Sequence, residues 1–513
     1  MRSSRPTAAT PSRWKPPPRA PSSILAEGPR RFPSRSGGGQ GAGSVDAIVV
    51  GAGPNGLAAA IVLSAAGKSV RVLEAESTIG GGTRSEALTF PGFIHDVCSS
   101  VLPLANASPF FRTLPLAEYG LTYDHPPIPL AHPLDDGSAG VLDRSVGVTA
   151  SGLGRDGTAY RGLMDPIVRQ AELLTRQFLG PPRPSAHLVT LARFGIPALR
   201  SAAALAAGRF QSPQARALFV GLGAHSMLSL RRPATASFGL VLAAAGHAFG
   251  WPFARGGSQH VADALAAVLR AHGGTIAIGS RVASMHQVSS SRVVLFDLTP
   301  RQILPIASRR WPDGFNRQLQ RFRYGPGIFK VDWALDGPIP WRAPACRQAG
   351  TVHVGGAFDE VVAAEDAVAA GGVAERPFVI LAQPSVADST RAPAGKHVGW
   401  AYCHVPNGST VDMRERIEAQ VERFAPGFTS RILARHVMGP ADIERHNANQ
   451  VGGDINGGIA DLRQLFIRPT RRLYATPDRQ LYLCSSSTPP GGGVHGMCGY
   501  YGARKALRRA RWS

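Results

Sequence analysis

Residues 46–84 read DAIVVGAGPNGLAAAIVLSAAGKSVRVLEAESTIGGGTR, and the placing of apolar and glycine residues in this stretch decides the fold. Ala47 to Val50 is a short apolar run suited to a parallel strand buried on both faces. Gly51, Gly53 and Gly56 follow in GxGxxG spacing, and the alanine-rich run after them predicts a helix to about Ala66, stopped by Gly67. The first glycine permits a tight turn, the second lets a pyrophosphate approach the backbone, and the third lets helix and strand pack closely. The helix start offers unpaired N–H groups to phosphates, with Pro54 and Asn55 in its first turn. Ser69 to Leu73 reads as the second strand. Glu74 ends it, 23 residues after Gly51, at the spacing where a carboxylate accepts hydrogen bonds from an unphosphorylated adenosine ribose, with Ala75 beside it.

A lone GxGxxG is weak evidence, and the chain holds a second match in Gly152, Gly154 and Gly157. No apolar strand precedes that match and no alanine-rich helix follows it, so it reads as a hairpin turn. What points to FAD rather than NAD is Gly80–Arg84. Gly81, Gly82 and Thr83 form a second glycine-rich turn able to lie along a pyrophosphate, and Arg84 is expected to be free to reach a phosphate.

The 513 residues suffice for two domains with sizeable cores, and 44% hydrophobic with 18% charged residues describes a globular chain. Five scattered cysteines with no CxxC suggest neither a disulfide framework nor a zinc site. The net charge of +22 raises nucleic acid as a partner. Residues 1–44 hold eight Arg or Lys against one acid, which is +7 and leaves +15 for the rest, and Arg504, Lys505, Arg508, Arg509 and Arg511 close the chain. Between these ends the basic residues are dispersed, and no nucleic-acid partner is expected.

Residues 1–44, rich in Pro, Arg, Ser and Gly, read as a disordered basic leader or an over-extended start. They lack the apolar core of a secretory signal. Their Arg and Ser content suits a mitochondrial transit peptide, but Pro16, Pro17 and Pro18 break the helix one needs. The expected location is the cytoplasm, with membrane association or, through the leader, the mitochondrion as alternatives.

Six segments follow: the leader 1–44, FAD-binding parts at 45–135, 253–298 and 478–513, and substrate-domain parts at 136–252 and 299–477. The fold class is α/β, a Rossmann-like FAD-binding domain with an interleaved α+β substrate domain. The stretch between Pro166 and Trp251 is Ala- and Leu-rich and reads as a helical cap. FKVDWALDG, FVILAQPS and GWAYCHV read as strands, and MRERIEAQVERFA as an amphipathic helix. TIAIGSRVASM and Arg292–Leu298 read as further strands of the first domain. Gln480–Cys484 is a last strand, followed by SSSTPPGGGVHGMCGYYGARKAL, a glycine-rich turn feeding a helix, where Gly491, Gly492 and Gly493 let backbone approach a flat ligand. His353, His397, His404 and His436 have no metal-ligand spacing and read as structural histidines.

Four stretches carry a resemblance that spans Val45 to about Leu507: VVGAGPNGLAAA with LEAESTIGGGTRS, GWPFARGGSQHVADAL, FKVDWALDGPIPW, and GGDINGG with LYLCSSSTPPGGGVHGMCGYYGA. The chain resembles the phytoene desaturase-like flavoproteins, within the larger group that includes the monoamine oxidases, and in particular the "pyridine nucleotide-disulfide oxidoreductase domain 2" type. The resemblance implies a non-covalent FAD and hydride transfer from a C–H bond to flavin N5. It implies a backbone contact from Val282 to the adenine, although the hairpin before Arg292 is shorter than in many relatives. It places Gly492, Gly493, Val494 and His495 at the flavin, with the last helix pointing its N-terminus at the pyrimidine ring. His495 stands where many carotenoid desaturases have proline, and two readings stay open for it, a catalytic base or a cap on the turn. Lys330 matches a lysine that holds a water near flavin N5 in amine-oxidase-like enzymes; a solvated strand face is its other reading. Asp454 and Asn456 are expected to reach the flavin front. Lys330, His495 and Asp454 are the catalytic candidates, and Cys484 lacks the context of a covalent anchor.

The expected substrate is a hydrophobic small molecule held in an apolar cavity lined by residues 187–253, with a molecule bearing an amine or hydroxyl as the alternative. The absence of a second true fingerprint points to oxygen or a quinone as electron acceptor and to no NAD(P)H domain. The outer face of the cap is a candidate membrane contact. The Rab GDP-dissociation inhibitors share the architecture and bind lipidated partners without turnover, so a binding protein is the rival class.

Overall fold

The computed structural model describes residues 44–512; the leader reading falls almost wholly outside them. Two sheets organise the chain. The first is parallel throughout, in the spatial order Leu481–Leu483, Ser291–Phe296, Val45–Val50, Val70–Leu73 and Thr275–Ala277. Val45–Val50 sits at its centre because its β-branched residues are buried on both sides. Ala47 and Val49 join the core under helices Pro54–Ala65, Gln259–Ala271 and Met497–Arg509, while Ile48 and Val50 join the core on the opposite face. Helices Pro300–Ala307 and Asp313–Gln320 supply that opposite face through Ile303, Ala307, Phe315 and Leu319.

The second sheet has seven strands in the order Ile432–Met438, Gly327–Leu335, His397–Val405, Val379–Ala382, Ala349–Val354, Ile128–Pro133 and Ala139–Leu142. It is antiparallel except where Ala349–Val354 runs alongside Ile128–Pro133. Its two faces separate by strand alternation. Val331, Trp333, Ala401 and Cys403 pack under helix Arg414–Phe424, and Ile328, Trp400 and Tyr402 pack towards the cap helices.

Strands of the two sheets alternate along the chain, and three details differ from the sequence reading. Ile128–Pro133 belongs to the second sheet, so the chain leaves the first layer before residue 135. Residues 300–320 belong to the first layer, because their apolar faces cover its sheet rather than the second one. TIAIGSRVASM is a strand only over Thr275–Ala277, where it pairs with Val70–Leu73; beyond that the chain turns at Gly279 and enters a short helix at Met285–Val288.

The second glycine match is not a hairpin turn. Helix Val146–Gly152 runs through a short turn at Gly154–Asp156 into helix Gly157–Val168, and a Cβ on Gly157 would lie 2.4 Å from the Ala150 carbonyl oxygen. These glycines serve a tight helix–helix joint. Helices run in succession from Gly157 to Ala248, starting before the Pro166 of the sequence reading, and Leu205, Leu218, Phe219, Leu222 and Leu240 pack as one core with Leu130, Ile380, Trp400 and Tyr402 of the sheet. The apolar residues expected to line a cavity here are spent largely on that core. No single described helix is long and apolar enough to cross a membrane; Leu188–Ala198 and Ala202–Arg209 pass that test only as a pair bent by 96°.

Candidate functional site

Where the central parallel strands end, a cavity of about 380 Å³ opens. Its wall is built from several separated stretches: Gly51, Gly53, Pro54 and Asn55; Glu74 and Ala75; Gly81, Gly82, Thr83 and Arg84; Val282; and Gly493 with Val494. The sequence-predicted cofactor residues therefore converge, apart from Gly56, Gly492 and His495, which do not line the cavity. Gly56 is needed for close packing, since a Cβ there would lie 2.0 Å from the Gly51 carbonyl oxygen.

The two glycine turns dock on each other. Gly80 donates its N–H to the Ala52 carbonyl at 2.9 Å, and a Cβ on Gly81 would sit 3.2 Å from the Gly53 Cα. Glu74 is buried and fixed: Oε2 accepts the Ala52 N–H at 2.7 Å and Oε1 the Glu76 N–H at 3.0 Å. Each oxygen keeps a lone pair for a further donor. Arg84 is not free as expected. It is buried, donates from Nη1 to the His446 carbonyl at 3.0 Å, and lies 3.7 Å from Glu74. Three buried polar atoms on this wall, Asn55 Oδ1, Arg84 Nε and His446 Nε2, have no protein hydrogen-bond partner.

Asp297, at the end of the strand beside Val45–Val50, was not foreseen. Its Oδ2 accepts the Gly56 N–H at 2.8 Å, so it clamps the helix start from the neighbouring strand. Burial, reinforced by the Glu74 charge, pushes its carboxyl well above the usual range. The only sequence signal was an acid directly following an apolar strand. The segment His446–Gln450 was also missed; it lines the cavity, and Asn449 ties it to Asp297 by donating to that residue's carbonyl at 2.9 Å. Polar loop residues of this kind carry no periodicity that would mark them.

The three catalytic candidates have different surroundings. Asp454 lines the cavity, but its oxygens accept the N–H groups of Gly325, Asn456 and Gly458 at 2.7–2.8 Å, so the carboxylate organises its own loop. Burial raises its carboxyl, against those amides. His495 is fully buried; Nδ1 accepts the Met497 N–H at 3.1 Å, the arrangement of a turn cap, and burial pulls the ring down to about 4, which keeps it neutral near pH 7. Lys330 is fully buried and ion-paired with Asp332, so the solvated-face reading falls. Cys484 is buried, with its Cβ 2.8 Å from where a Cβ on Gly502 would stand, and is not on the cavity wall. His404 bonds Glu365 at 2.8 Å and His353 bonds His225 at 3.0 Å; no metal-binding cluster occurs among the described residues.

Comparison with known proteins fits this geometry. Residues 49–114 match the model of an NAD(P)-binding Rossmann-like domain. The chain is 27% identical to "Pyridine nucleotide-disulfide oxidoreductase domain-containing protein 2" of Rattus norvegicus, over 90% of this chain and 93% of that protein. It is 24% identical to the lycopene-forming phytoene desaturase of Pantoea ananas, over 88% and 96%. Among solved structures, a putrescine oxidase redesigned in its cofactor binding superimposes with a TM-score of 0.59 at 17% identity, covering 91% of this chain and 99% of that one. The homologues thus include both protein types that the sequence motifs resembled, and the fold is the one found in the amine oxidases.

Proposed function

We propose that this protein is an oxidoreductase that holds FAD non-covalently in the cavity and takes a hydride from a hydrophobic substrate. The observation that carries the reading is the convergence of both glycine turns, Glu74, Val282 and Gly493–Val494 on one cavity whose wall has unpartnered polar atoms. That donor and acceptor set suits a dinucleotide: Glu74 for a ribose, the Gly51–Asn55 turn for the pyrophosphate, Val282 for the adenine, and Gly493–Val494 for the flavin. The names of the relatives, an oxidoreductase and a desaturase, agree with it. The flavin supplies hydride acceptance at N5 when bound. The chain's own residues bind and orient it, and the neutral, capped His495 shapes the turn beside the ring rather than moving a proton.

Oxygen or a quinone suits the acceptor role, since the second glycine match is a helix joint and offers no nicotinamide site. Exposed Leu188, Val189, Ile196 and Leu199 on the cap support peripheral membrane contact, and hence access to apolar substrates. A rival reading, a binding protein without turnover, is favoured by one observation: of the three catalytic candidates only Asp454 lines the cavity, and both its oxygens are engaged by backbone amides.

The test is direct. The purified protein is expected to be yellow or to take up FAD, with a melting temperature that rises on titration, because a ligand at 100 times its Kd stabilises by about 2.7 kcal/mol. Glu74→Ala should lose most of that rise. A colourless protein indifferent to FAD ends the proposal. Bleaching of the anaerobic flavin by lipid extracts, and not by small amines or by NADH, is the expected substrate result; lipid binding without bleaching would favour the binding protein.

A further inference from the structure

Next to the cavity, the inner face of the second sheet carries a set of buried ionisable groups that the cofactor reading does not use. Lys330 and Asp332 alternate on strand Gly327–Leu335, both fully buried, with Lys330 Nζ bonded to Asp332 Oδ2 and 5.5 Å from the centre of the Trp400 ring. Asp332 faces two histidines. His95 Nδ1 lies 3.7 Å from Oδ1, and His436 Nδ1 lies 3.8 Å from Oδ2. His95 Nδ1, His436 Nδ1 and Asp332 Oδ1 are all buried without a hydrogen-bond partner. Three orphan atoms around one carboxylate are costly, and their spacing is what a shift of under about 1 Å or one bridging hydroxylic molecule closes.

The set has an inner and an outer end. At the inner end, strand His95–Asp96, whose His95 faces Asp332 at 3.7 Å, runs on to Cys98 on the cavity wall, where Gln450 donates to its sulfur at 2.9 Å. At the outer end, the His436 side chain is 35% exposed, whereas Asp332 is fully buried. The groups acting on Lys330 are Asp332, His95, Asp96, Cys98 and His446, and His436 faces its partner Asp332. Asp96 is locked by Arg391 at 3.0 Å, and His95 is wholly buried with Nε2 bonded to Thr89 at 2.8 Å, so neither leads outward. His436 does.

We infer that Lys330, Asp332 and His436 form a proton relay joining the cofactor cavity to solvent. The inference rests on the FAD reading and adds a function for residues outside the cavity wall. When reduced flavin gives two electrons to an acceptor, the proton on N5 must also leave. With FAD bound, the relay would accept that proton at a neutral Lys330 amine; Lys330 passes one to Asp332, Asp332 passes one to His436, and His436 releases one to solvent, so that all three end as they began. Burial lowers the Lys330 ammonium against the pull of Asp332, which suits a group that both takes and gives a proton.

The experiment uses the FAD-loaded, photoreduced protein, mixed in stopped flow with two equivalents of ferricenium ion, an outer-sphere acceptor that takes one electron each and no proton. Flavin absorbance reports the electrons, and a pH-indicator dye in weak buffer reports the proton. In the parent protein both signals should rise together. In His436→Ala the proton signal should lag by about a hundredfold, the low end for a positioned proton-transfer group, with flavin content and melting temperature unchanged, and added imidazole should restore it. Proton release as fast as in the parent overturns the relay, and so does slow release that imidazole does not restore. A parent protein that takes up no FAD overturns the cofactor reading at the loading step, before any proton is measured; fast release from a loaded His436→Ala overturns the relay alone.

Discussion

At the scale of single residues, Asp297 shows how one buried acid ties stability to pH. Burial first, and then the Glu74 charge, raise its carboxyl well above 3.8, the value of the unfolded chain. The folded protein keeps a proton there that the unfolded chain has given up, so the site favours folding most at acid pH. That advantage is lost as pH climbs from 3.8 towards the raised folded value. Asp297→Asn keeps an oxygen for the Gly56 N–H and carries no charge to bury. It should be neutral near pH 3, where the acid is protonated in both states, and stabilising at pH 8, by about 1.4 kcal/mol for each pH unit climbed between 3.8 and the folded value. Melting temperatures of both proteins at the two pH values check this, and an Asn variant less stable than the parent at pH 8 contradicts it. Asp297→Ala, which leaves the Gly56 amide unpaired, should lose stability at both. Only the acid's position after an apolar strand was legible in the sequence; its environment is set by two chain segments 241 residues apart.

At the scale of elements, the parallel strand–turn–helix unit was legible because its signals are local: β-branched residues for Val45–Val50, glycines at fixed offsets, and an alanine-rich helix. Less local features were not. The sequence placed Lys330 on a strand correctly, but the identity of the face, buried rather than solvated, depends on which sheet the strand enters and on the cap above it. The Gly152–Gly157 match misled as a hairpin because glycine offsets mark a tight turn without saying which elements the turn joins. Helix contact supplies a sharper case. A Cβ on Gly499, in Met497–Arg509, would lie 1.8 Å from the Asn55 carbonyl oxygen and 2.9 Å from the Ala59 N of Pro54–Ala65. Backbone on one side and a helix on the other leave little room to yield. Gly499→Ala should therefore push the last helix off the first and cost about 1–3 kcal/mol, although alanine is the better helix former. Because Asn55 is on the cavity wall, the same variant should weaken FAD uptake, measurable by equilibrium dialysis. An unchanged melting temperature would show that the helices separate freely.

At the scale of the molecule, the two sheets are held together by a buried ionic knot rather than by apolar packing alone. Asp96 accepts from Ser85 Oγ, Ser100 Oγ and the Ser258 N–H at 2.7–2.8 Å and from Arg391 at 3.0 Å. Arg391 in turn reaches Asp388 at 3.0 Å and the Ala254 carbonyl at 3.2 Å, and Asp388 accepts the Gly256 N–H at 2.7 Å. The knot thus gathers the strand that follows the second glycine turn, the RGGS turn leading into Gln259–Ala271, and the loop before the long strand His397–Val405. Burial works to raise the Asp96 carboxyl, but Arg391 and the three hydrogen bonds outweigh it and hold it below 3.8. The sign of the linkage is opposite to that of Asp297: this contribution is full above the unfolded value and is lost as pH falls below 3.8 through the lower folded one. Arg391→Met strands two buried carboxylates and should cost about 3–5 kcal/mol, whereas replacing Arg391 and Asp96 together by apolar residues of similar volume should cost much less. If the knot couples the layers, far-ultraviolet dichroism and the fluorescence of released flavin will report one transition in the parent and in Arg391→Met alike, displaced to lower temperature. Flavin release well before loss of dichroism in the variant would instead mean that the knot sets only how the layers meet, and that each layer folds on its own core.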